Sequence, residues 1–342
     1  MREHARTIRA IRLVAVLAVV FASLLLSGCG GGSGGGEGGG GGSLTLVAYS
    51  TPREAYEQLT SDFAETDAGQ GTTIETSYGG SGEQSRAVEG GLPADVVAFS
   101  LEPDITRLVK AGLVDNNWNQ DEYKGMVTDS VVVLAVRKGN PQGIRGWDDL
   151  TRDGLEVITP NPFTSGGARW NVMAAYGAQL QQGKSEDEAT EYLRQLFKNV
   201  PVQDKSARES LQTFTGGKGD VMIAYENEVI TAQQNGEDLE YIVPDQTVLI
   251  ENPVAVTTDS QNPEQAQAFV DFLRTPDAQR VFGDKGYRPV VQDVLQEYDY
   301  PTPPGLFTIE DLGGWDEVST RFFDSQSGVM ADINREVGAS TE

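Results

Sequence analysis

The sequence predicts an α/β fold in which helices cover a parallel sheet. Short apolar, β-branched stretches alternate with stretches of helical periodicity from residue 44 to residue 283. Because each predicted crossover is a helix, consecutive strands are expected to pair in parallel. The chain has 342 residues, of which 38% are hydrophobic and 23% are charged, so it is long enough for two lobes with separate cores.

The first 28 residues differ from the rest of the chain and indicate a secretory signal. Four arginines precede the apolar run from Leu13 to Leu26, which leads into Leu26-Ser-Gly-Cys29. This is the pattern of a lipobox, in which cleavage leaves Cys29 as the site of lipidation. An uncleaved membrane anchor is the alternative, and the short apolar run disfavours it. The glycine-rich residues 29–43 then form a flexible tether with a reach of roughly 20 Å.

After cleavage the chain would have no free thiol and no imidazole. Cys29 is the only cysteine, and the only histidine, His4, leaves with the signal. We therefore expect no disulfide, no Ser-His-Asp or Cys-His catalysis, no metal site and no cofactor. Cleavage also removes four Arg and one Glu from 26 basic and 51 acidic residues, which leaves a net charge of −28. That charge disfavours a nucleic-acid partner, whereas a small anion could still bind through local dipoles.

The first part of the folded region predicts three strands, each followed by a helix. The strands are expected at 44–49, 73–78 and 94–99, and the helices from about residues 52, 81 and 103. Thr51 with Glu54, and Ser81 with Gln84, have the spacing of a capping box, in which two residues bond each other's backbone N–H at a helix start.

The second part continues the alternation. Ser130 to Arg137 is the longest β-branched run and is apolar on both faces, which predicts a buried central strand. Further strands are expected at 155–159 and 219–225, and residues 249–257 are expected to return the chain to the first lobe. Helices are expected at 166–182, 185–198, from 226, at 263–274 and at 276–283. Ser206 and Glu209 form a third capping-box pattern. Trp147 and Trp170 are interpreted as core aromatics. Beyond about residue 290 the sequence predicts no defined element.

Four of the helix starts carry small residues where a ligand of an α/β sheet would bind. They are Ser50-Thr51, Gly79 to Gly82, Ser165 to Gly167, and Ser206-Ala207. A helix start leaves backbone N–H groups unpaired and carries the positive end of the helix dipole, so it favours negative charge. Glycine has no Cβ and lets those N–H groups approach a ligand closely. A cap and a tight turn would explain any one of these starts; four that converge would form an oxyanion site.

Several motifs, in order across residues 44–325, resemble the sulfate- and thiosulfate-binding proteins of ABC importers. They include Val-Ala-Tyr-Ser-Thr-Pro-Arg-Glu at 47–54, Tyr-Gly-Gly-Ser-Gly at 78–82, Ser-Gly-Gly-Ala-Arg-Trp-Asn at 165–171, Gly-Asp-Val-Met-Ile-Ala-Tyr-Glu-Asn-Glu at 219–228 and Tyr-Arg-Pro at 287–289. The resemblance implies the bilobed type II periplasmic-binding-protein fold, with two α/β lobes joined by a two-strand hinge. Lobe I is then expected at 44–131 plus 251–342, and lobe II at 132–250.

The resemblance also implies the ligand and the groups that hold it. A sulfate or thiosulfate dianion would be bound by uncharged donors and delivered to the membrane permease of an ABC importer. Carried over by motif position, the ligand-binding residues are Ser50, Ser81, Ser165, Gly166, Gly167, Ala207 and Tyr225. Ser165 would donate its hydroxyl, and Tyr225 stands where the family has a tryptophan indole, so its phenol would have a different reach. The implied protein is a monomer, not an enzyme, and is extracytoplasmic and lipid-anchored.

The chemistry of sulfate agrees with a site made of donors. Sulfate has no proton at neutral pH, whereas hydrogenphosphate needs an acceptor and would be mismatched at a cost of roughly 1–3 kcal/mol. The carboxylates near the helix starts, Glu54, Glu83 and Glu209, could supply that acceptor, but we interpret them as supporting their helices. The arginines in the first turns, Arg53, Arg86, Arg169 and Arg208, are interpreted as pairing with carboxylates or covering loops.

Three alternatives remain open from the sequence. A receptor for phosphate or molybdate would share the fold. A ferric-iron receptor would need clustered phenolates or carboxylates, and Tyr298 and Tyr300 lie outside the expected cleft. An enzyme of a different class, a Ser/Lys hydrolase, would use Lys205 beside Ser206, although sequence neighbours rarely face each other on a helix.

Overall fold

The computed structural model describes residues 42–341 of the chain. The predicted signal, Cys29 and nearly all of the tether lie outside these residues. The strands are β1 (Ser43–Tyr49), β2 (Thr73–Gly79), β3 (Val96–Ala98), β4 (Met126–Arg137), β5 (Val157–Ile158), β6 (Val221–Tyr225), β7 (Leu239–Ile242), β8 (Gln246–Val256), β9 (Arg288–Pro289) and β10 (Gly305–Phe307). None of the helices in the described part of the chain has the length and apolar character needed to span a membrane.

The α-helices follow most of the strands, as the alternating pattern predicted. They are α1 (Arg53–Glu65), α2 (Ser81–Glu89), α3 (Glu102–Lys110), α4 (Gly166–Gln181), α5 (Glu186–Lys198), α6 (Ala207–Thr215), α7 (Glu226–Gln234), α8 (Pro263–Leu273), α9 (Pro276–Asp284), α10 (Gln292–Leu295), α11 (Gly314–Phe323) and α12 (Val329–Val337). Short 3-10 turns lie at Trp147–Thr151 and Glu310–Leu312.

The strands form one sheet in the order β2-β1-β3-β8-β4-β6-β5, with β10 paired to β8 and with β7 and β9 paired to β4. β1 is parallel to β2 and β3, and β5 is parallel to β6. In the middle of the sheet, β8 is antiparallel to β3 and β4, and β4 is antiparallel to β6. The expectation of parallel pairing is therefore wrong there. A helical crossover favours parallel pairing only between strands that it joins, and β8 reaches β3 and β4 from far along the chain.

β4 and β8 are the longest strands, with 12 and 11 residues. Each changes its partner along its length. Residues 126–131 of β4 pair with β8, and residues 132–137 pair with β6 and β7. β8 in turn pairs with β4 through residues 249–253 and with β3 through residues 254–256. The two strands therefore connect both groups of shorter strands, as a two-strand hinge would; the lobe boundaries themselves stay a prediction.

The core lies on both faces of the sheet. Side chains of β4 alternate between two buried clusters, with Val132, Leu134 and Val136 in one and Val131, Val133 and Ala135 in the other. β1 does the same, with Leu44, Leu46 and Ala48 on one face and Val47 on the other. A strand buried on both faces is expected to be apolar at every position, so the prediction of a central strand at 130–137 is confirmed.

Helices α11 and α12 lie beyond residue 290, where the sequence predicted no element. Helix α11 packs on α3 and, through aromatic rings, on α4, whereas α12 packs on α11 and α5. Trp315 meets Trp170 edge-on with ring centroids 4.7 Å apart, and Phe322 meets Tyr176 in the same way at 4.7 Å. Trp170 and Trp147 are both buried, which confirms that they are core aromatics. This packing supports α4, whose first residues belong to the candidate site.

Two carboxyl groups face each other where β4 and β8 pair. Asp129 of β4 is the direct cross-strand partner of Glu251 of β8, and like charges in such positions repel. Burial raises the pKa of Asp129 to about 8, and the charge of Glu251 adds to this shift. Arg288 is the partner of Asp129 on its other side, but the Arg288 guanidinium binds Glu226. Asp129 therefore retains a proton at neutral pH.

We expect Asp129→Asn to stabilise the protein increasingly as pH rises. The folded state holds this proton more tightly than the unfolded chain does. Protonated Asp129 therefore contributes fully to the free energy of unfolding below the ordinary pKa of an aspartate, and this contribution is lost as pH rises toward about 8. Asparagine cannot ionise and escapes this loss. Thermal denaturation at pH 5 and pH 9 should show a Tm difference, variant minus wild type, that is larger at pH 9. Asp153→Asn, at an exposed loop position, is the control; a difference that shrinks with pH would contradict the prediction.

Candidate functional site

The four helix starts singled out in the sequence come together around one small cavity. The loop after β1 leads into α1, the loop after β2 leads into α2, and the starts of α4 and α6 face them. The residues that line the cavity are Tyr49, Ser50, Thr51, Gly79, Gly80, Ser81, Ser100, Ser165, Gly167, Ser206 and Ala207. Of the seven ligand-binding residues expected from the sequence, five therefore line this cavity.

The cavity is rich in hydrogen-bond donors. Ser81, Gly166, Gly167 and Ala207 occupy the first or second positions of their helices, where a backbone N–H has no intrahelical acceptor. Ser165 is the N-cap of α4, and its Oγ accepts from the Ala168 N–H at 3.3 Å. A hydroxyl that accepts in this way keeps its own hydrogen for a ligand. The positive ends of three helices thus point toward one place.

Two glycines allow the loops to approach each other this closely. A Cβ on Gly80 would lie 2.7 Å from the Thr164 carbonyl oxygen and 2.9 Å from the Lys205 carbonyl oxygen. A Cβ on Gly166 would lie 2.5 Å from Leu101 Cδ2 and 2.8 Å from Ser100 Cβ. In the same region the Glu83 N–H donates to the Thr164 carbonyl at 3.3 Å. These contacts join segments that belong to different predicted lobes.

No charged side chain is found among the described residues that line the cavity. The arginines of the first turns are engaged elsewhere. Arg53 pairs with Glu57 at 2.7 Å, Arg208 lies 3.6 Å from Glu54, and Arg169 donates to the Pro162 carbonyl at 2.9 Å. For these three the interpretation as carboxylate partners or loop supports is confirmed. Burial and the neighbouring Arg107 lower the pKa of the Arg86 guanidinium.

Two of the three predicted capping boxes are wrong. The N-cap of α1 is Pro52, which has no capping side chain, and Glu54 instead accepts from the Asn235 amide at 3.1 Å. The N-cap of α2 is Gly80, because Ser81 already lies inside the helix. The Ser81 hydroxyl donates to Asp104 at 2.6 Å. The residue spacing predicted local capping bonds, but in both cases the side chain bonds a residue from a distant segment instead.

The third predicted capping box, Ser206 with Glu209, is formed in part. Ser206 is the N-cap of α6, and its Oγ accepts from the Glu209 N–H at 3.3 Å. The Glu209 carboxylate accepts from the Lys205 N–H at 3.1 Å, one residue before the cap. Ser206 thus has the capping role that was weighed against a Ser/Lys nucleophile.

Gly166 and Tyr225 are the two expected ligand-binding residues that are not among those lining the cavity, although both adjoin it. The Tyr225 hydroxyl lies 2.6 Å from the Ser100 hydroxyl, and Ser100 does line the cavity. Burial raises the pKa of Tyr225 well above its ordinary value, so its phenol stays protonated. Sequence reasoning missed Ser100. It follows β3 without a motif, and its partner is 125 residues away.

A buried carboxyl lies behind the cavity. Glu228 is 4% exposed, and burial raises its pKa to about 7 against the opposing effect of the Tyr225 N–H, which donates to Oε2 at 3.3 Å. Thr51, a residue that lines the cavity, also opposes this rise in the pKa of Glu228. Near neutral pH this carboxyl is partly protonated, which reduces the negative charge that an anion would meet.

The tyrosine pair considered for iron is engaged in structural contacts. The rings of Tyr298 and Tyr300 stack with centroids 5.7 Å apart. The Tyr298 hydroxyl donates to the Arg280 carbonyl at 2.9 Å, and the Tyr300 hydroxyl donates to the Tyr287 carbonyl at 2.8 Å. Within residues 42–341 no group of three or more His, Cys, Asp or Glu side chains could hold a metal ion.

Comparison with known proteins gives a consistent result. A family model described as bacterial extracellular solute-binding protein matches residues 44–288. A sulfate-binding protein of Synechococcus elongatus is 44% identical over 291 residues, which cover 82% of this chain and 83% of that protein. A thiosulfate-binding protein of Pseudomonas aeruginosa is 33% identical over 302 residues, covering 84% and 90%. The solved structure of the sulfate-binding protein SubI from Mycobacterium tuberculosis has a TM-score of 0.80 and 44% identity, covering 82% of this chain and 99% of that one.

Proposed function

The chain belongs to the bacterial extracellular solute-binding proteins, and we propose that it captures sulfate, with thiosulfate as a second ligand, for an ABC importer. The proposed site is the cavity between the four helix starts. Ser50, Ser81, Gly166, Gly167 and Ala207 supply backbone N–H groups, and Ser165 supplies a hydroxyl. The relatives named above, which bind sulfate or thiosulfate by their names, support the choice of ligand.

One observation carries the proposal: the cavity offers donors from several separate segments and no cationic side chain among its described lining residues. A fully ionised dianion has only hydrogen-bond acceptors, so each donor of this lining can bond one of its oxygens. Aimed N–H groups in a site closed to water stabilise negative charge more strongly than they would in bulk water. A protonated oxyanion would place its own O–H against donors and lose affinity.

The remaining parts of the proposal concern location and delivery. Cleavage before Cys29 and lipidation of that residue would hold the protein at the outer face of the cell membrane. The glycine-rich tether would let the folded part reach a permease nearby. We propose a monomer that carries out no catalysis. The two predicted lobes would close on the anion, and β4 and β8 would act as the hinge.

Isothermal titration of the purified protein against sulfate, thiosulfate, phosphate and molybdate tests this function. We expect sulfate to bind far more tightly than phosphate. Tighter binding of phosphate or molybdate than of sulfate would overturn the proposed ligand. No binding of any of the four would overturn the proposed site. Membrane association that is lost in Cys29→Ala would test the anchor separately.

A further prediction concerns closure over the anion. Gly80→Ala is expected to raise the Kd for sulfate by about tenfold or more, because the added methyl group meets the carbonyl oxygens of Thr164 and Lys205. Gly80 has φ −64 and ψ 135, which alanine also adopts, so the cost should arise only when the segments approach. Gly146→Ala is a matched control, since nothing lies within 4 Å of its Cβ position and its φ is 178. Equal Kd values for the two variants would contradict this prediction.

A further inference from the structure

Ser100 is the lining residue that neither the motifs nor the helix starts explain. It follows β3, is fully buried, and borders the cavity. Its side chain lies directly beside the start of α4, since a Cβ on Gly166 would be 2.9 Å from Ser100 Oγ. The hydroxyl is therefore placed among the proposed donors of the site.

The main chain of Ser100 is held on both sides. Its N–H donates to Ser81 Oγ at 3.0 Å. Its carbonyl accepts from Trp170 Nε1 at 2.8 Å and from Asn252 Nδ2 at 2.9 Å. These bonds come from separate segments, which include the start of α2, helix α4 and strand β8. They leave the side-chain hydroxyl as the one polar group of Ser100 that is available to a ligand.

The Ser100 hydroxyl has a partner behind it. Tyr225 Oη lies 2.6 Å from Ser100 Oγ, and either oxygen could be the donor. The phenol has one hydrogen, and the Ser100 oxygen lies at hydrogen-bond distance to accept it. When a dianion fills the cavity, its field favours the arrangement in which Tyr225 donates to Ser100 and the Ser100 hydrogen points at the anion.

We propose that Ser100 contacts the bound anion as a hydroxyl donor and that Tyr225 acts behind it as a positioning residue. The proposal rests on the proposed function and adds a specificity-determining residue to it. It also accounts for the tyrosine at 225: its hydroxyl is bonded to Ser100 and is not part of the cavity lining. The relay Tyr225 O–H to Ser100 O–H to anion delivers one further donor to the bound anion.

The test is a double-mutant cycle with titration of sulfate. Ser100→Ala should raise the Kd by about 10- to 100-fold, the usual effect of losing a hydrogen bond to a charged group. Tyr225→Phe should raise it by a smaller factor, and the double variant should match Ser100→Ala alone, because Tyr225 acts only through Ser100. Ser100→Cys keeps the size with a weak donor and should resemble Ser100→Ala. Ser85→Ala, which removes a fully buried hydroxyl bonded to the Asp104 carbonyl, is the matched control and should leave the Kd unchanged.

Each result of these titrations either supports or overturns the inference about Ser100. Wild-type Kd values in Ser100→Ala and Ser100→Cys, with sulfate still bound by the wild type, would overturn this inference and leave the proposed function standing. Additive losses in the double variant would show that Tyr225 reaches the anion by itself, which also overturns it. A wild-type protein that binds no sulfate would overturn both.

Discussion

Gly166→Asp is expected to nearly abolish sulfate binding, raising the Kd by at least about 1000-fold. Gly166 is the first residue of α4, and a Cβ at this position would lie 2.9 Å from Oγ of Ser100, which lines the cavity of the proposed anion. An added Cβ would lie 2.5 Å from Leu101 Cδ2 and 2.8 Å from Ser100 Cβ, and the carboxylate would repel a dianion at close range. Two negative charges a few ångströms apart in a site of low effective dielectric cost about 4 kcal/mol or more. Titration calorimetry measures the loss directly.

Two further variants separate the effect of the added bulk from the effect of the added charge. Gly166→Ala adds bulk without charge and should lose less affinity than the aspartate. Gly146→Asp adds the charge where nothing lies within 4 Å and should bind sulfate as the wild type does. A Kd within tenfold of wild type for Gly166→Asp would mean that the anion lies elsewhere, and the proposed site would fail.

Arg288→Ala is expected to cost about 3–5 kcal/mol of folding free energy, the usual cost of leaving a buried charge unpaired. The Arg288 guanidinium donates to Glu226 Oε2 at 2.9 and 3.1 Å and to the Pro301 carbonyl at 2.9 Å. Glu226 is fully buried, and burial raises its pKa against the opposing charge of Arg288. Without the arginine the pKa of Glu226 should rise further, so the destabilisation should be smaller at acidic pH.

Thermal denaturation tests this expectation, with a Tm lower by about 6 °C or more for the variant at neutral pH. Lys138→Ala is the control, because Lys138 also pairs with a carboxylate, Asp238 at 2.7 Å, but both side chains are exposed. Its Tm should not change measurably. Adding Glu226→Gln to Arg288→Ala should restore part of the lost stability, since it removes the unpaired carboxylate. Equal Tm values for Arg288→Ala and wild type would contradict the buried-pair argument.

The periodic parts of the fold could be predicted from the sequence. The strands at 44–49, 73–78 and 219–225 were expected within about two residues of their observed ends. The family resemblance read from the motifs is confirmed, as is the mixed α/β fold of periplasmic binding proteins. The antiparallel centre of the sheet was missed because strand order depends on contacts between distant segments. Helices α11 and α12 were missed because the side chains that bury them belong to distant segments: α11 packs on α4, and α12 packs on α5.

The candidate site also contains residues that the sequence predicts and residues that it does not. Glycine and serine before a helix are local signals, and the structure brings these starts to one cavity. Ser100 had no such signal, and its pairing with Tyr225, which the motif did single out, could not be predicted because a hydroxyl pair 125 residues apart leaves no spacing to recognise. The capping boxes at Thr51 and Ser81 failed for a related reason. Glu54 is bonded to Asn235 and Ser81 to Asp104, and neither partner can be inferred from the neighbouring residues.

The helix starts around the cavity present main-chain amides, and a main-chain amide survives almost any exchange of the side chain it carries. Alanine scanning would therefore leave most of the binding groups intact and would report that a position such as Ser50 contributes little. Related chains could likewise vary at these positions without changing their ligand. The informative experiments are those that add atoms at the glycines, or that replace a peptide N–H by an ester oxygen at Gly167 or Ala207.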